Sequence, residues 1–261
     1  MNIDLEGKHA LVCGASRGIG RATAEALAGL GASVSLAARS REALEAAAGE
    51  LAAAGGGQHH AVPVDFSDPE AASETLAAHF ETHPIQIVVN NAGGPPPGPI
   101  AEADAKSFTD GFRTHLLANQ AIVQAALPGM RAAGYGRIVN IISTSVYEPI
   151  PGLGVSNTIR AAVAAWAKTL SRELAPEGFT VNNVLPGFTA TDRLDSLIRG
   201  RAEKAGVSES RIAQDMRSGV PMGRFAEPGE VASAIAFLAT PAAAYISGQS
   251  LAVDGGRLNS I

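Results

Sequence analysis

Cys13-Gly14-Ala15-Ser16-Arg17-Gly18-Ile19-Gly20 is the stretch whose reading decides the fold. It follows Ala10-Leu11-Val12, an apolar run that reads as a short buried strand. It opens an Ala-rich helical pattern from Ile19 to about Leu30. Strand, glycine loop and helix in that order make an anion site. The helix start offers unpaired N–H groups and a partial positive charge, and glycines let a pyrophosphate approach the backbone. The glycines stand at 14, 18 and 20, so the spacing is G-x-x-x-G-x-G and not the commoner G-x-G-x-x-G. The plainer alternative is an ordinary glycine-rich strand-to-helix turn.

Outward from that loop, strands and helices alternate. Val34–Ala38, His60–Val64, Ile85–Val89, Arg137–Ile142, Val181–Leu185 and Ser250–Val253 read as further strands. Helices fall between them: Arg41 to Ala54, stopped by Gly55-Gly56-Gly57; one capped by Ser67 or Asp68 with Pro69 in its first turn; a long one from Asp104 to Ala132; and one from Val155 to Leu174. A polar helical segment at about 190–219 reads as a cover over the sheet ends. This order predicts an α/β chain built on a doubly wound parallel sheet of about seven strands, in three layers, with right-handed crossovers. Ligands in such sheets bind beyond the carboxyl ends of the strands. No repeat of 20 to 50 residues is visible, and one domain over residues 1–261 is expected.

Composition narrows the function classes. Hydrophobic residues make up 46% of the 261 and charged residues 17%, which fits a folded globular chain. The net charge of −5 carries no basic footprint for nucleic acid. No early apolar run is long enough to span a membrane and no basic leader precedes one, so a cytoplasmic protein is expected. The one cysteine, Cys13, excludes an intrachain disulfide and reads as a small buried residue at a strand end.

Several short motifs stand in a fixed order: Gly14 to Gly20, Val64-Asp65, Asn90-Asn91-Ala92-Gly93, Arg137 to Ile141, Asn182-Asn183-Val184-Leu185-Pro186-Gly187, Ile246-Ser247-Gly248-Gln249 and Val253-Asp254-Gly255-Gly256. With these the chain resembles the short-chain dehydrogenase/reductase family along nearly its whole length. Within it, the chain is similar to β-ketoacyl-acyl-carrier-protein reductases, in an atypical subgroup. The resemblance implies a Rossmann-type fold, a small carbonyl or alcohol substrate, a homo-oligomer (tetramer or dimer), and NAD(P) at the glycine loop. The cofactor residues it marks are Gly14, Ser16, Arg17, Gly18, Ile19, Gly20, Asp65, Phe66, Asn91, Ala92, Gly93, Pro186, Gly187, Phe188, Thr189 and Thr191. Asp65 would accept from the adenine amino group. A structural turn is the alternative for the asparagines, and a helix cap for Thr191.

Charge separates the two dinucleotides. NAD sites place an acid near the end of the second strand, on the ribose 2′-OH. Here that place holds Ala37-Ala38-Arg39-Ser40-Arg41, and Arg17 lies close by. Guanidiniums suit a 2′-phosphate, so NADP(H) is expected over NAD(H). A solvated helix start is the other reading of Arg39 and Arg41.

The catalytic positions depart from the family, which uses a Ser, a Tyr, a Lys and usually an Asn. Ser143 matches the Ser. Ser156 falls at the Tyr position, Arg160 at the Lys position and His115 at the Asn position. A serine hydroxyl is a poor proton donor beside a phenol of pKa about 10, and an arginine is expected to stay above about 12. Two surrogate acids are open. Tyr147 lies four residues past Ser143, and His115 offers an imidazole that titrates near neutrality. Their plainer readings are a pocket-lining loop residue and a packed helix residue. His79 and His83 stand i, i+4, with no third ligand evident, and read as an exposed helix face rather than a metal pair. The expected activity is NADP(H)-dependent ketone reduction or secondary-alcohol oxidation. The alternatives are a dinucleotide-binding sensor or partner without turnover, and a non-redox enzyme on the same scaffold.

Overall fold

The computed structural model describes residues 1–54 and 57–260. Its seven strands are β1 (His9–Cys13), β2 (Ser33–Ala38), β3 (His59–Pro63), β4 (Ile87–Asn90), β5 (Arg137–Ile141), β6 (Thr180–Pro186) and β7 (Ser250–Val253). They form one parallel sheet in the order β3-β2-β1-β4-β5-β6-β7. The expected Rossmann-type sheet is therefore present, with its strand order reversing between β1 and β4. The helices are α1 (Gly18–Gly29), α2 (Arg41–Ala54), α3 (Pro69–Thr82), α4 (Ala105–Phe112), α5 (Ala118–Ala133), α6 (Gly154–Leu174), α7 (Asp192–Ala205), α8 (Glu209–Ser218) and α9 (Pro228–Ala239).

Both faces of the sheet are covered, which is why the strands read as unbroken apolar runs. Successive side chains go to opposite layers. Ala10, Val12, Ile87, Val89, Val139 and Ile141 pack with Leu27, Leu44, Val231 and Ile235 of α1, α2 and α9. Leu11, Cys13, Val88 and Ile138 pack on the other side with Leu76, Ile122, Met130 and Ala167 of α3, α5 and α6. Burial pushes the Cys13 thiol up to about 12, so it is an inert core residue.

Three sequence expectations are corrected. The long helix over 104–132 is broken: residues Arg113–Leu117 form a π-helical turn, with the Ala118 N–H donating to the Arg113 carbonyl. The segment after Thr191 is two helices, because Gly206 takes a left-handed φ of +66° and Ser208 caps α8 through the Arg211 N–H. Asn90 belongs to a ladder crossing the sheet rather than to a turn. Its Nδ2 donates to Asn140 Oδ1 at 2.8 Å, Asn140 donates to Asn183 at 2.9 Å, and Asn183 to Ser250 Oγ at 3.1 Å. Of the helix stop at 55–57, Gly55 and Gly56 lie outside the described residues.

Candidate active site

The glycine loop and α1 meet the requirements of a pyrophosphate site. Arg17 is the N-cap of α1 but supplies no side-chain cap, and the first turn holds no acid. The amino end of the helix is therefore left to a ligand. Gly14 has φ +61°, and a Cβ there would stand 2.6 Å from Asn91 Nδ2. A Cβ on Gly18 would meet Thr191 Cγ2 at 3.3 Å. The loop, the end of β4 and the start of α7 thus close on one another. Asn91 ties the first two together by donating to the Cys13 carbonyl at 3.3 Å.

The remaining cofactor positions fall around this cradle with differing freedom. Asp65 is exposed at the end of β3 and accepts from the Ser67 N–H at 3.0 Å, a bond that holds its carboxyl below the usual range. The Phe66 ring is buried with Leu76 and Phe80, so only its backbone can face a ligand. Arg17 pairs with Asp192 at 2.8 Å and Arg41 with Glu45 at 3.5 Å. Only Arg39, of the three arginines expected to meet a 2′-phosphate, has no acid within pairing distance among the described residues. The other two are exposed pairs, which exchange partners at little cost. Gly187 packs where a Cβ would stand 2.7 Å from Asp254 Cα, and its N–H donates to Val253. Phe188 gives its carbonyl to the Ala226 N–H. Thr191 is the backbone N-cap of α7, yet its hydroxyl donates to the Thr189 carbonyl and caps nothing.

The candidate catalytic groups gather at the carboxyl end of β5. Ser143 accepts from the Ser145 N–H at 3.1 Å, which leaves its own O–H to donate. Arg160, on α6, donates from Nη1 to the Ile141 carbonyl at 2.9 Å. Burial and the nearby Arg193 push it down to about 10, below the expected range but far enough above neutrality to keep it a cation. Ser156 lies one turn earlier on the same helix face. His115 sits inside the π-helical turn and is 3% exposed. Its ring donates to the Gly93 carbonyl, and Nε2 is buried without a partner.

Both surrogate acids are constrained in this structure. Burial, with Arg160 beside it, pushes His115 down to about 2, which favours the neutral imidazole, a weak proton donor. Tyr147 is 48% exposed and its hydroxyl donates to the Ser250 carbonyl of β7 at 3.1 Å. Ser250 lies on β7, two strands from β5, and the phenol bonds across to that strand. Tyr147→Phe is expected to leave turnover unchanged and to cost about 1 kcal/mol or less in a denaturant titration. A large fall in turnover would restore Tyr147 to the reaction.

His79 and His83, read as an exposed helix face, gather with His9 and His60 into a cluster instead. His9, His60, His79 and His83 have ring centroids 4.1 to 6.4 Å apart at the amino end of β1. Ser35 Oγ bridges His9 Nε2 at 2.9 Å and His79 Nε2 at 2.6 Å. Among the described residues no group of His, Cys, Asp or Glu is arranged to hold a metal ion.

Comparison with known proteins agrees with this geometry. The sequence pattern of the family described as Enoyl-(Acyl carrier protein) reductase matches residues 14–257. The 3-oxoacyl-(acyl-carrier-protein) reductase FabG of Vibrio cholerae is 38% identical over 257 residues, covering 97% of this chain and 98% of its own. The chain belongs to the short-chain dehydrogenase/reductase family. L-sorbose reductase from Gluconobacter frateurii, solved with NADPH and L-sorbose, superposes with a TM-score of 0.94 at 30% identity over all of both chains. YwfH, an NADPH dependent reductase involved in bacilysin biosynthesis, gives 0.92 at 29% identity over 97% of this chain and 99% of its own. The short-chain dehydrogenase/reductase assignment makes the chain an oxidoreductase that uses a nicotinamide dinucleotide. No helix is long and apolar enough to cross a membrane among the described residues.

Proposed function

We propose that the chain transfers hydride between NADP(H) and the carbonyl carbon of a small ketone, or the matching secondary alcohol. The observation that carries this reading is the uncapped, acid-free start of α1, closed by Gly14, Gly18, Asn91 and Thr191. Preference for the phosphorylated dinucleotide is supported by the end of β2, where Arg39 has no acid within pairing distance among the described residues and acts at longer range on the Asp65 carboxylate. When bound, NADPH supplies the hydride and leaves as NADP⁺, while the carbonyl oxygen takes up a proton.

The residues present divide that work. The Ser143 hydroxyl donates to the carbonyl oxygen and stabilises charge as it develops. Arg160 is anchored to β5 through one nitrogen and keeps its other N–H groups for ribose hydroxyls and for the same developing charge. Asn91, Gly14 and Gly20 shape the pyrophosphate bed. Ser156 is shorter than a phenol, so the proton on oxygen comes through water bound at the serines. NADPH is expected to bind at least about tenfold tighter than NADH, with Arg39→Ala removing most of the difference. Fluorescence titration of both dinucleotides checks this, and equal affinity would sink the preference. Tight NADPH binding with no oxidation across ketones and alcohols would favour the sensor reading instead.

A further inference from the structure

Two guanidiniums face each other over Gly94. Arg193 Nη2 and Arg160 Nη2 lie 3.5 and 3.6 Å from the point where a Cβ on Gly94 would stand. Each is fixed by a backbone carbonyl: Arg160 by Ile141, and Arg193 by Pro95 at 2.9 Å. Neither has a carboxylate within pairing distance among the described residues. His115 Nε2, beside Arg160, is buried and unpartnered. A second pair stands at the mouth. Arg257 donates to Thr144, next to Ser143, and lies 4.7 Å over the Phe188 ring. With Arg201, Phe188 and Met216, and with the carboxylates of Glu148 and Asp215, it lines a cleft of about 400 Å³ beside α7 and α8.

Arg160 is half-buried and Arg193 exposed beside it, so an anion between them would offset a repulsion that solvent screens only on the Arg193 side. The dinucleotide phosphates belong to the glycine loop, where Arg17 already bridges to Asp192. The ribose hydroxyls given to Arg160 above take part of its N–H set and neutralise no charge, so Arg193 still lacks a counter-ion among the described residues. The geometry points to a substrate carboxylate received over Gly94 by Arg160 and Arg193, which makes the substrate a small oxo- or hydroxy-acid. The assignment to substrate rests on the redox reading above; the anion site itself does not.

The test uses 2-oxobutanoate, 3-oxobutanoate and 4-oxopentanoate, each beside its methyl ester. Binding to the NADP⁺-loaded protein is measured by calorimetry, and NADPH affinity and turnover separately. At least one acid is expected to bind about tenfold or more tighter than its ester. Arg193→Met is expected to weaken that acid about tenfold while NADPH affinity holds within about threefold, and Arg193→Lys to recover part of the loss. Esters binding as well as acids, or no acid binding, would overturn the site. So would an Arg193→Met effect confined to NADPH, which would give the guanidinium to the pyrophosphate. Acid binding without turnover supports the site and counts against the redox reading alone.

Discussion

Gly20→Ala is expected to abolish useful dinucleotide binding. A Cβ at this position would collide with the Gly14 carbonyl, standing 2.7 Å from its carbon and 2.8 Å from Asn91 Nδ2. The first obstacle is backbone and the second is a side chain already spent on the Cys13 carbonyl. Neither can swing aside as a flexible chain end would. The loop must open, which separates α1 from β1 and shifts the N–H groups that would face the phosphates. Overpacking of this kind costs about 1–3 kcal/mol or more, which is about 5- to 150-fold in affinity if it falls on the bound loop. Gly29→Ala is the control. It lies at the far end of the same helix, meets no atom within 4 Å, and is expected to stabilise slightly through the better helix former. Titration with NADPH and thermal melting with and without it separate lost binding from lost folding. Wild-type affinity in Gly20→Ala would show that α1 does not carry the phosphates.

The contrast between those glycines shows what sequence carries. Spacing and neighbours were enough to mark Gly14, Gly18 and Gly20, because a strand-loop-helix unit is local. The seven strands were legible for a related reason: a sheet buried on both faces writes continuous apolar runs, and each ends in a residue suited to a loop. The π-helical turn at 113–117 was not legible, since one added residue leaves the apolar spacing of a 30-residue helical region almost unchanged. The break at Gly206 could have been found, because Gly206 followed by Ser208 is a helix stop and a helix cap. Contacts made by topology lay furthest out of reach. Asn90, Asn140 and Asn183 form a ladder only because β4, β5 and β6 are neighbours in register. His115 and Tyr147 were sound candidates by chemistry and position. Burial favours the neutral form of one, and the hydroxyl of the other bonds the Ser250 carbonyl.

Acidification below pH 6.5 is expected to destabilise the fold well before its carboxylates titrate. His9 and His79 are pushed from 6.5 down to about 4, first by burial and then by the neighbouring imidazoles. Burial lowers His59 and His60 as well, and His115 falls to about 2. A base whose folded pKa is depressed takes up its proton first in the unfolded chain. Its contribution is complete above the unfolded value of 6.5 and is lost as pH falls toward the folded value. Each imidazole kept neutral adds at most ~1.4 kcal/mol per pH unit in that window. His9 and His79 are partly open to solvent and their mutual repulsion counts only once. A fall on the order of 2–4 kcal/mol between pH 6.5 and 5 is therefore the reasonable scale for the whole set. That is a large share of the ~5–15 kcal/mol that holds a domain together. The ordinary carboxylate values of 3.8 and 4.5 lie below this window, so Asp65, Glu177 and Glu230 add little to the slope there. His79→Gln keeps a side chain able to bond Ser35 and removes one titrating ring from the cluster, and His115→Asn does the same for the π-helical turn. Each is expected to flatten the pH dependence of the urea midpoint by up to about one proton, independently of the other because they lie at opposite ends of the sheet. An unchanged slope in His79→Gln would mean that His79 takes up its proton alike in the folded and the unfolded chain.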